Sequence, residues 1–230
     1  MEIRFRLAGL RRGLIGLLAL LVCLGFWAEV VDEFSPTEDP WGLVSFFGLS
    51  YERNLPTWVA SLALVACAAA LAAIARATRQ AGGPRVGHWR GLAAAFAWIS
   101  LDEFVGIHEE MSNWFDYGGV LYFSWVIPAS VLVVLFGAAY LRFLGDLPRH
   151  FRRRFVLAGA LYVGGALLME LPLGYWTDVA GHSNLVYGMI DLVEESLELA
   201  GTFLFLYTLV EYLTTPGGAL RLTRADGDAS

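Results

Sequence analysis

Residues 13–31 read GLIGLLALLVCLGFWAEVV, a run in which Glu29 is the one charged residue. A helix of about 20 mainly apolar residues can cross the hydrocarbon core of a bilayer, so this run is a candidate membrane span. Five further stretches are also long and mainly apolar. The six candidate spans lie near Gly13–Val31, Thr57–Ala77, Arg90–Glu110, Val120–Leu141, Phe155–Tyr175 and Val186–Tyr212. The pattern predicts an all-α, polytopic membrane protein with six transmembrane helices in one bundle.

The composition of the whole chain agrees with this interpretation. Of the 230 residues, 57% are hydrophobic and only 17% are charged, and the mean hydropathy is +0.56. A typical soluble domain has about 25% charged residues, so this chain cannot cover a water-facing surface, and membrane lipid is its expected surrounding. The net charge of −6 argues against nucleic acid as a partner, because such a partner requires a basic surface.

The distribution of arginine predicts the orientation of the helices. All sixteen basic residues are Arg, and the six-span topology places fifteen of them on one side of the membrane and only Arg53 on the other. Because positively charged loops stay in the cytoplasm, we expect both termini to be cytoplasmic, in a bacterial inner membrane. No small-x-small cleavage site follows the first run, so we expect that helix to be retained. The prediction is a single transmembrane domain over residues 1–222 and a disordered polar tail over 223–230.

The first outer loop, between residues 32 and 56, is long for a connection in a tight bundle. Asp39 and Pro40 are typical of a helix N-cap followed by proline at the first helical position. The residues that follow, 41–47, are mostly aromatic and apolar. They predict a short interfacial helix that either anchors the loop at the membrane surface or folds over the bundle as a lid.

Charged side chains inside a span cost roughly 2.5–3.5 kcal/mol each on insertion scales, yet three predicted spans together carry ten ionisable residues. Span three has Asp102, Glu103, His108, Glu109 and Glu110, span five has Glu170, and span six has Asp191, Glu194, Glu195 and Glu198. A rise of 1.5 Å per residue puts Asp102 about 18 Å from the cytoplasmic start of span three, and the other acids fall at similar levels. We therefore expect the three sets to meet in the outer half of the membrane, on neighbouring helices.

Helical spacing predicts which of these side chains share a face. At about 100° per residue, the four acids of span six form one stripe. On span three, Asp102 and Glu109 are seven residues apart and nearly eclipsed, whereas His108 is expected to point away from Asp102 toward another helix. Glu109, Glu110 and Asp191 lie near the outer boundary and are also explained as solvated residues, an interpretation that is as good as a functional one for Glu110 and Asp191.

The acidic cluster has no arginine at its own depth. Six or more carboxylates cannot all stay ionised together in a low-dielectric bundle, so they must share protons, face a water-filled cavity or bind a cation. Carboxylates with one imidazole suit hard or borderline ions, and we predict a divalent metal ion, Fe, Mn, Zn or Ca. The predicted ligands are Asp102, Glu103, Glu170, Glu195 and Glu198, with His108 and Glu109 as outer members.

The segment 100–109, SLDEFVGIHE, resembles a motif of uncharacterised multi-pass bacterial membrane proteins. These proteins share a Ser-x-Asp-Glu or Ser-x-Asp-Asp sequence, which is followed four residues on by His-Glu. The resemblance covers this segment and the six-span hydropathy. It implies a shared acidic site, and no reaction is assigned to that family.

Two better-known classes of membrane and metal protein fit less well. Alkaline-ceramidase-like hydrolases hold zinc with three histidines and an aspartate, whereas His88 and His150 lie in the predicted cytoplasmic loops. Carboxylate-bridged di-iron proteins use two Glu-x-x-His motifs and two further glutamates. Here Glu195-x-x-Glu198 and the single His108 provide half of that pattern.

Three functions remain open from the sequence. The first is a metal-dependent enzyme that acts on a lipid or another hydrophobic substrate, with the ion activating water or polarising the substrate. The second is a non-catalytic accessory or assembly subunit of a larger membrane complex, with its aromatic residues packing against protein partners, a pigment or a quinone. The third, a cation or proton transporter, is disfavoured because the inner half of every span has few polar residues.

Overall fold

The computed structural model describes residues 7–35, 39–112 and 117–215, and within these ranges the chain is helical with no strand. The predicted tail at 223–230 and the four arginines Arg4, Arg6, Arg221 and Arg224 lie outside the described residues. The α-helices are α1 (Leu7–Phe34), α2 (Leu43–Phe47), α3 (Leu55–Gln80), α4 (Val86–Val105), α5 (Ile107–Ser112), α6 (Val126–Asp146), α7 (Arg149–Val163), α8 (Glu170–Ala180) and α9 (Leu185–Thr214).

Five helical segments of the described chain are long and apolar enough to cross a membrane. They are Leu7–Phe34, Leu55–Gln80, Val126–Asp146, Arg149–Ala180 and Leu185–Thr214. The predicted third span differs from the others. Its helix, α4, has 20 residues that include Arg90, Asp102 and Glu103, and it ends before Gly106 rather than at Glu110. The all-helical class is thus confirmed with five candidate spans, and α4 packs along α3 as a sixth long helix.

The long helices run alternately up and down, which gives the bundle two distinct ends. We call the end that holds the α3–α4 and α6–α7 connections the arginine end, and the opposite end, where α3, α6 and α9 begin, the carboxylate end. At the arginine end an apolar core joins α3, α4, α6, α7 and α9. Its largest rings are Trp89, Phe143, Phe155 and Phe205, and Cys67, Leu71, Ile74 and Leu209 are fully buried beside them.

Ring contacts bring the helices of predicted spans three, five and six together. Phe205 on α9 stacks on Phe96 of α4 with ring centroids 4.7 Å apart, and it meets Phe155 of α7 edge-on at 4.7 Å. The ring centroids of Trp89 on α4 and Tyr212 on α9 are 5.3 Å apart. The expectation that these helices are neighbours is therefore confirmed.

The predicted fifth span is one rod with an irregular turn in its middle. A π-helical turn, Gly164–Met169, joins α7 to α8. Pro172 lies just beyond it, and proline both lacks an N–H and collides with the carbonyl four residues earlier. A π-turn absorbs such a defect, and π-turns occur frequently at functional sites. Here Glu170 directly follows the turn, and its side chain is buried inside the bundle.

Gly165 in this turn permits a close approach of α9. A Cβ atom at this position would lie 2.7 Å from the Glu194 backbone oxygen and 2.8 Å from Cγ of Glu198. No side chain fits at such distances, so glycine is required for the two helices to meet here. The acidic face of α9 is thereby pressed against the π-turn.

The first outer loop folds back onto the carboxylate end. Its short helix α2 follows a 3₁₀ turn at Pro40–Gly42, and the Asp39 carboxylate accepts hydrogen bonds from the backbone N–H of Val44 at 2.8 Å and of Ser45 at 3.2 Å. Asn54 caps α3 by accepting from the backbone N–H of Thr57 at 3.1 Å, and its amide also donates to carbonyl oxygens of the loop. The predicted short helix is present at this end, and the loop after it covers the interior.

Helix α6 differs from the other long helices in its packing. Val126 and Phe143 near its two ends are buried, but residues 131–139 between them are all exposed. Even on the side that carries the buried end residues, Val133 and Phe136 remain 37% and 40% exposed. The middle of α6 therefore stands away from the bundle.

Candidate functional site

A cavity of about 730 Å³ occupies the carboxylate end of the bundle. The first loop, the end of α4, the start of α6, the π-turn region and the first half of α9 form its wall. Eight of its lining residues are acidic: Glu52, Asp102, Glu103, Glu170, Asp191, Glu194, Glu195 and Glu198. Five are tyrosines: Tyr51, Tyr117, Tyr122, Tyr162 and Tyr187. His108 is the one basic side chain among the described lining residues, which include no arginine.

Helix α9 provides half of the acidic residues. Asp191, Glu194, Glu195 and Glu198 lie on one face of an uninterrupted helix, as their spacing predicts, and all four line the cavity. Glu198 reaches the deepest of these positions, where the Tyr162 hydroxyl is hydrogen-bonded to its carboxyl group. The helical stripe of the sequence is therefore the acidic wall of the cavity.

The histidine lies differently from the prediction. Its Nδ1 atom is 2.9 Å from Oδ2 of Asp102, and its backbone N–H donates to Oδ1 of the same carboxylate at 3.0 Å. The expectation that His108 points away from Asp102 is wrong because α4 does not continue through this segment. Gly106 ends the helix in the left-handed conformation with φ of 72°, so helical spacing does not apply across it. The turn folds His108 back onto Asp102, which caps the start of α5.

Glu170 is buried in the cavity wall, with only 7% of its surface exposed. The indole N–H of Trp125 donates to its Oε1 atom at 2.9 Å, while Oε2 is buried without a hydrogen-bond partner. Glu194 is equally buried and its Oε2 atom also lacks a partner. A buried acceptor without a donor is costly, more so when it is charged, so a proton or a hydrogen-bond donor at either oxygen would lower the free energy of the folded state.

Further acidic residues lie at the rim of the cavity, next to the first loop. Glu29 of α1 accepts a hydrogen bond from the Ser50 hydroxyl and lies against Gly188 of α9. Burial raises the pKa of Tyr51 to about 12, and the negative charges of Asp32 and Glu29 contribute to the shift. Tyr51 is therefore neutral over the physiological pH range and serves as a polar, uncharged part of the rim.

The carboxylates at the two ends of the bundle have different numbers of cationic partners. At the arginine end, Glu211 pairs with Arg154 and lies 3.5 Å from His150, and Asp146 is 2.7 Å from Arg85. In the cavity, the described acidic residues have only the His108 imidazole as a cationic neighbour. The cavity acids therefore lack the arginine partners that the acids of the arginine end have.

The predicted metal ligands lie around this cavity without forming a coordination sphere. Asp102, Glu103, His108, Glu170, Glu195 and Glu198 all line it. The Glu109 side chain lies outside the described part of the structure. Among the described residues, no three His, Cys, Asp or Glu side chains converge at metal-binding distance. The structure thus assembles the predicted residues in one space, and the assignment of a metal to them stays a prediction.

Several residues of the site were absent from the predicted ligand set. Asp191 and Glu194 were recognised as part of the α9 stripe, and the stripe itself was sufficient evidence to include them. Tyr162, Trp125 and Glu52 had no signal in the spacing, because their roles depend on which helix faces which. Trp125 in particular reaches Glu170 from 45 positions earlier in the chain.

Comparison with known proteins assigns the chain to a family. Residues 14–212 match a family described as a domain of unknown function (DUF8692). The chain belongs to this family. The match includes most or all of each long helix and every acidic residue of the described cavity wall. No curated protein and no solved structure matches the chain.

Proposed function

We propose that this chain is a multi-pass membrane protein that binds a cation in the acidic cavity. The observation that carries the proposal is the pair of buried, unpartnered oxygens on Glu170 and Glu194, in a wall that has eight acidic residues and no arginine among those described. A bound cation balances the negative charge that the described residues leave uncompensated.

The proposed setting is the outer half of a bacterial inner membrane. Helix α4 is the sixth span in this arrangement, because it packs along α3 and its neighbours α3 and α6 both begin at the carboxylate end. Both termini are then cytoplasmic, as the arginine distribution requires, and α2 lies at the outer interface above the cavity. The motif at 100–109 supports kinship with the multi-pass bacterial proteins that share it.

The first proposed occupant is a divalent metal ion, Fe, Mn, Zn or Ca. Glu103, Glu195 and Glu198 are electrostatic neighbours on facing walls of the cavity, and His108 is close to the first and the last of them. The proposal requires these side chains to rotate toward one ion, because no three of the described ones converge at metal-binding distance. Carboxylates with an imidazole suit such ions, and an ion so held can act on a lipid or another hydrophobic substrate by activating water.

Elemental analysis and thermal unfolding of the purified protein test the metal. We expect a stoichiometric metal, and we expect a chelator to lower the melting temperature because the ion binds only the folded state. An Asp102→Asn, Glu198→Gln double variant should respond much less to chelator, whereas Glu110→Gln, an exposed residue outside the cavity wall, should behave like the wild type. A wild type that contains no metal and is indifferent to chelator and to added Mn, Fe, Zn or Ca would overturn this assignment.

Reporter fusions test the proposed orientation. A fusion at Asp146, at the arginine end, should report the cytoplasm, and a fusion at Tyr117, at the carboxylate end, should report the outer side. The reverse pattern would place the cavity in the inner half of the membrane and contradict the proposed topology.

The cavity favours binding over transport through the bundle. Its deepest lining residues are Tyr162 and Glu198, and beyond them the described interior is the aromatic core of the arginine end. A transporter requires access to both sides, whereas a binding site or an enzyme needs one opening. This arrangement supports an enzyme or an accessory subunit that works from the outer half of the membrane.

A further inference from the structure

We infer that the cavity takes an amphiphile with an ammonium head, whose hydrocarbon tail leaves the bundle beside the middle of α6. This inference rests on the cation binding proposed above and names the substrate class of the same cavity. Three features of the structure carry it: the size and aromatic content of the cavity, the two unpartnered buried oxygens, and the gap beside α6.

The cavity is large for an inorganic ion alone. Its volume of about 730 Å³ lies within the range of roughly 300–1,000 Å³ that is typical of sites for small organic molecules. The carboxylates are spread around this space, and no three of the described His, Cys, Asp or Glu side chains converge at ligating distance. An ammonium head surrounded by methylene groups fills more of the space than an ion does.

Aromatic rings line the same walls as the carboxylates. Tyr122, Phe123, Trp125 and Tyr187 are part of the lining, and His108 lies against Trp125 with ring centroids 4.8 Å apart. Aromatic faces attract ammonium groups through cation–π interactions, and aromatic residues are the usual recognition surface for such ligands. The mixture of rings and carboxylates therefore favours an organic cation.

The unpartnered oxygens supply the direct contacts for the head. Oε2 of Glu170 and Oε2 of Glu194 are buried in the cavity wall without a donor. A protonated amine carries up to three N–H donors and a positive charge, so it can donate to these carboxyl groups, once they turn toward the cavity, and balance negative charge there. A neutral alcohol head carries a single donor and no charge.

The gap beside α6 provides an exit for a tail. Helix α6 contacts the π-turn, and Ala166 of that turn lines the cavity. Val133 lies 13 residues before the end of α6 and Tyr162 lies 13 residues after the start of α7, so both lie about 20 Å from the arginine end. At this level the cavity reaches Tyr162, and Val133, on the side of α6 that carries the buried end residues, is 37% exposed. A tail that leaves the cavity at this level would continue into lipid along the exposed middle of α6.

Thermal unfolding in nanodiscs of one zwitterionic lipid tests the inference with matched probes. The probes are tetradecylamine, tetradecanol of equal chain length, butylamine and Mn²⁺ alone. We expect tetradecylamine to raise the melting temperature most, butylamine to act only at much higher concentration, and tetradecanol to have little effect. Glu170→Gln or Glu194→Gln should weaken the amine effect at least about tenfold, whereas Glu110→Gln should preserve it.

The tail contact has its own pair of variants. Val133→Trp should fill the gap, so it should abolish the advantage of tetradecylamine over butylamine while the response to butylamine remains. Val134→Trp, which changes a 69% exposed position turned about 100° away on the same helix, should leave that advantage intact.

The remaining outcomes distinguish failure of the amphiphile from failure of the cation site. Equal shifts by tetradecanol and tetradecylamine, or equal effects of Val133→Trp and Val134→Trp, would overturn the amphiphile. A response to Mn²⁺ with none to either amine would also overturn it, while the proposed cation site would stand. A protein indifferent to all the probes would overturn both.

Discussion

The two ends of the bundle are built from the same long helices and filled in opposite ways. At the arginine end, rings such as Trp89 and Phe143 pack edge to face with centroids 4.7 Å apart, and charged residues are paired at the surface. At the carboxylate end, the helices enclose a cavity of about 730 Å³ with eight acidic residues on its described wall and no arginine. The first arrangement holds the helices together, which allows the second to carry a hollow and charged interior.

The difference indicates where stability and function reside. A close-packed aromatic core gains from burial and dispersion, while a cavity with uncompensated carboxylates costs free energy in the empty state. Natural proteins retain such a destabilising arrangement at sites where it serves a function such as binding. Substitutions at the two ends should therefore have effects of opposite sign on stability.

The largest expected effect is from Phe205→Ala at the arginine end. Phe205 is 6% exposed and contacts the rings of Phe96 and Phe155. Truncation of a buried phenylalanine costs about 3–5 kcal/mol, and we expect a loss of that size in the free energy of unfolding, measured by denaturant titration in detergent micelles. A loss below about 1 kcal/mol would contradict the role of this core.

Gly165→Ala tests the boundary between the two ends. Its added Cβ would approach the Glu194 carbonyl oxygen to 2.7 Å, so α9 and the π-turn must separate. Overpacking of this kind costs typically about 1–3 kcal/mol. We expect a lower melting temperature together with weaker cation binding, because both walls of the cavity move. Gly159→Ala, where a Cβ atom meets nothing within 4 Å, is the matched control and should change neither.

Glu194→Gln should have the opposite sign from the core variant. Replacing a buried carboxyl group, whose ionised form is costly and whose Oε2 has no partner, with a neutral amide should raise the free energy of unfolding of the unliganded protein by roughly 1–3 kcal/mol. The same change should weaken cation binding, so added ligand should stabilise the variant less than the wild type. Melting curves with and without ligand check both effects, and a variant that is less stable in both conditions would show that the carboxylate is structural.

The smallest effect is expected from Arg154→Gln at the arginine end. Arg154 pairs with Glu211, and the two side chains are 31% and 19% exposed. Ion pairs in such partly exposed positions are worth at most about 1 kcal/mol and weaken with salt. We expect a small decrease in melting temperature that shrinks at high ionic strength, and unchanged cation binding. Altered binding would show that the two ends are coupled.

The helical spans and the acidic stripe of α9 were predictable from spacing alone, since α9 is unbroken from Leu185 to Thr214. The segment at 100–112 was not predictable in this way. Gly106 has a positive φ there, and a single residue in the left-handed conformation redirects every side chain after it. The prediction for His108 assumed a continuous helix and failed at that residue.

The sequence by itself determined the all-helical class with several candidate membrane spans, because long apolar runs follow from what a membrane requires of any chain. It also determined that the acids share one level, because helical rise is constant. Tertiary structure decided the rest. Which oxygens of Glu170 and Glu194 are left unpartnered, how Trp125 reaches Glu170, and how much space the acids enclose all depend on contacts between helices distant in the chain. Those contacts are fixed by packing, including the approach that Gly165 allows, and periodicity along one helix carries no information about them.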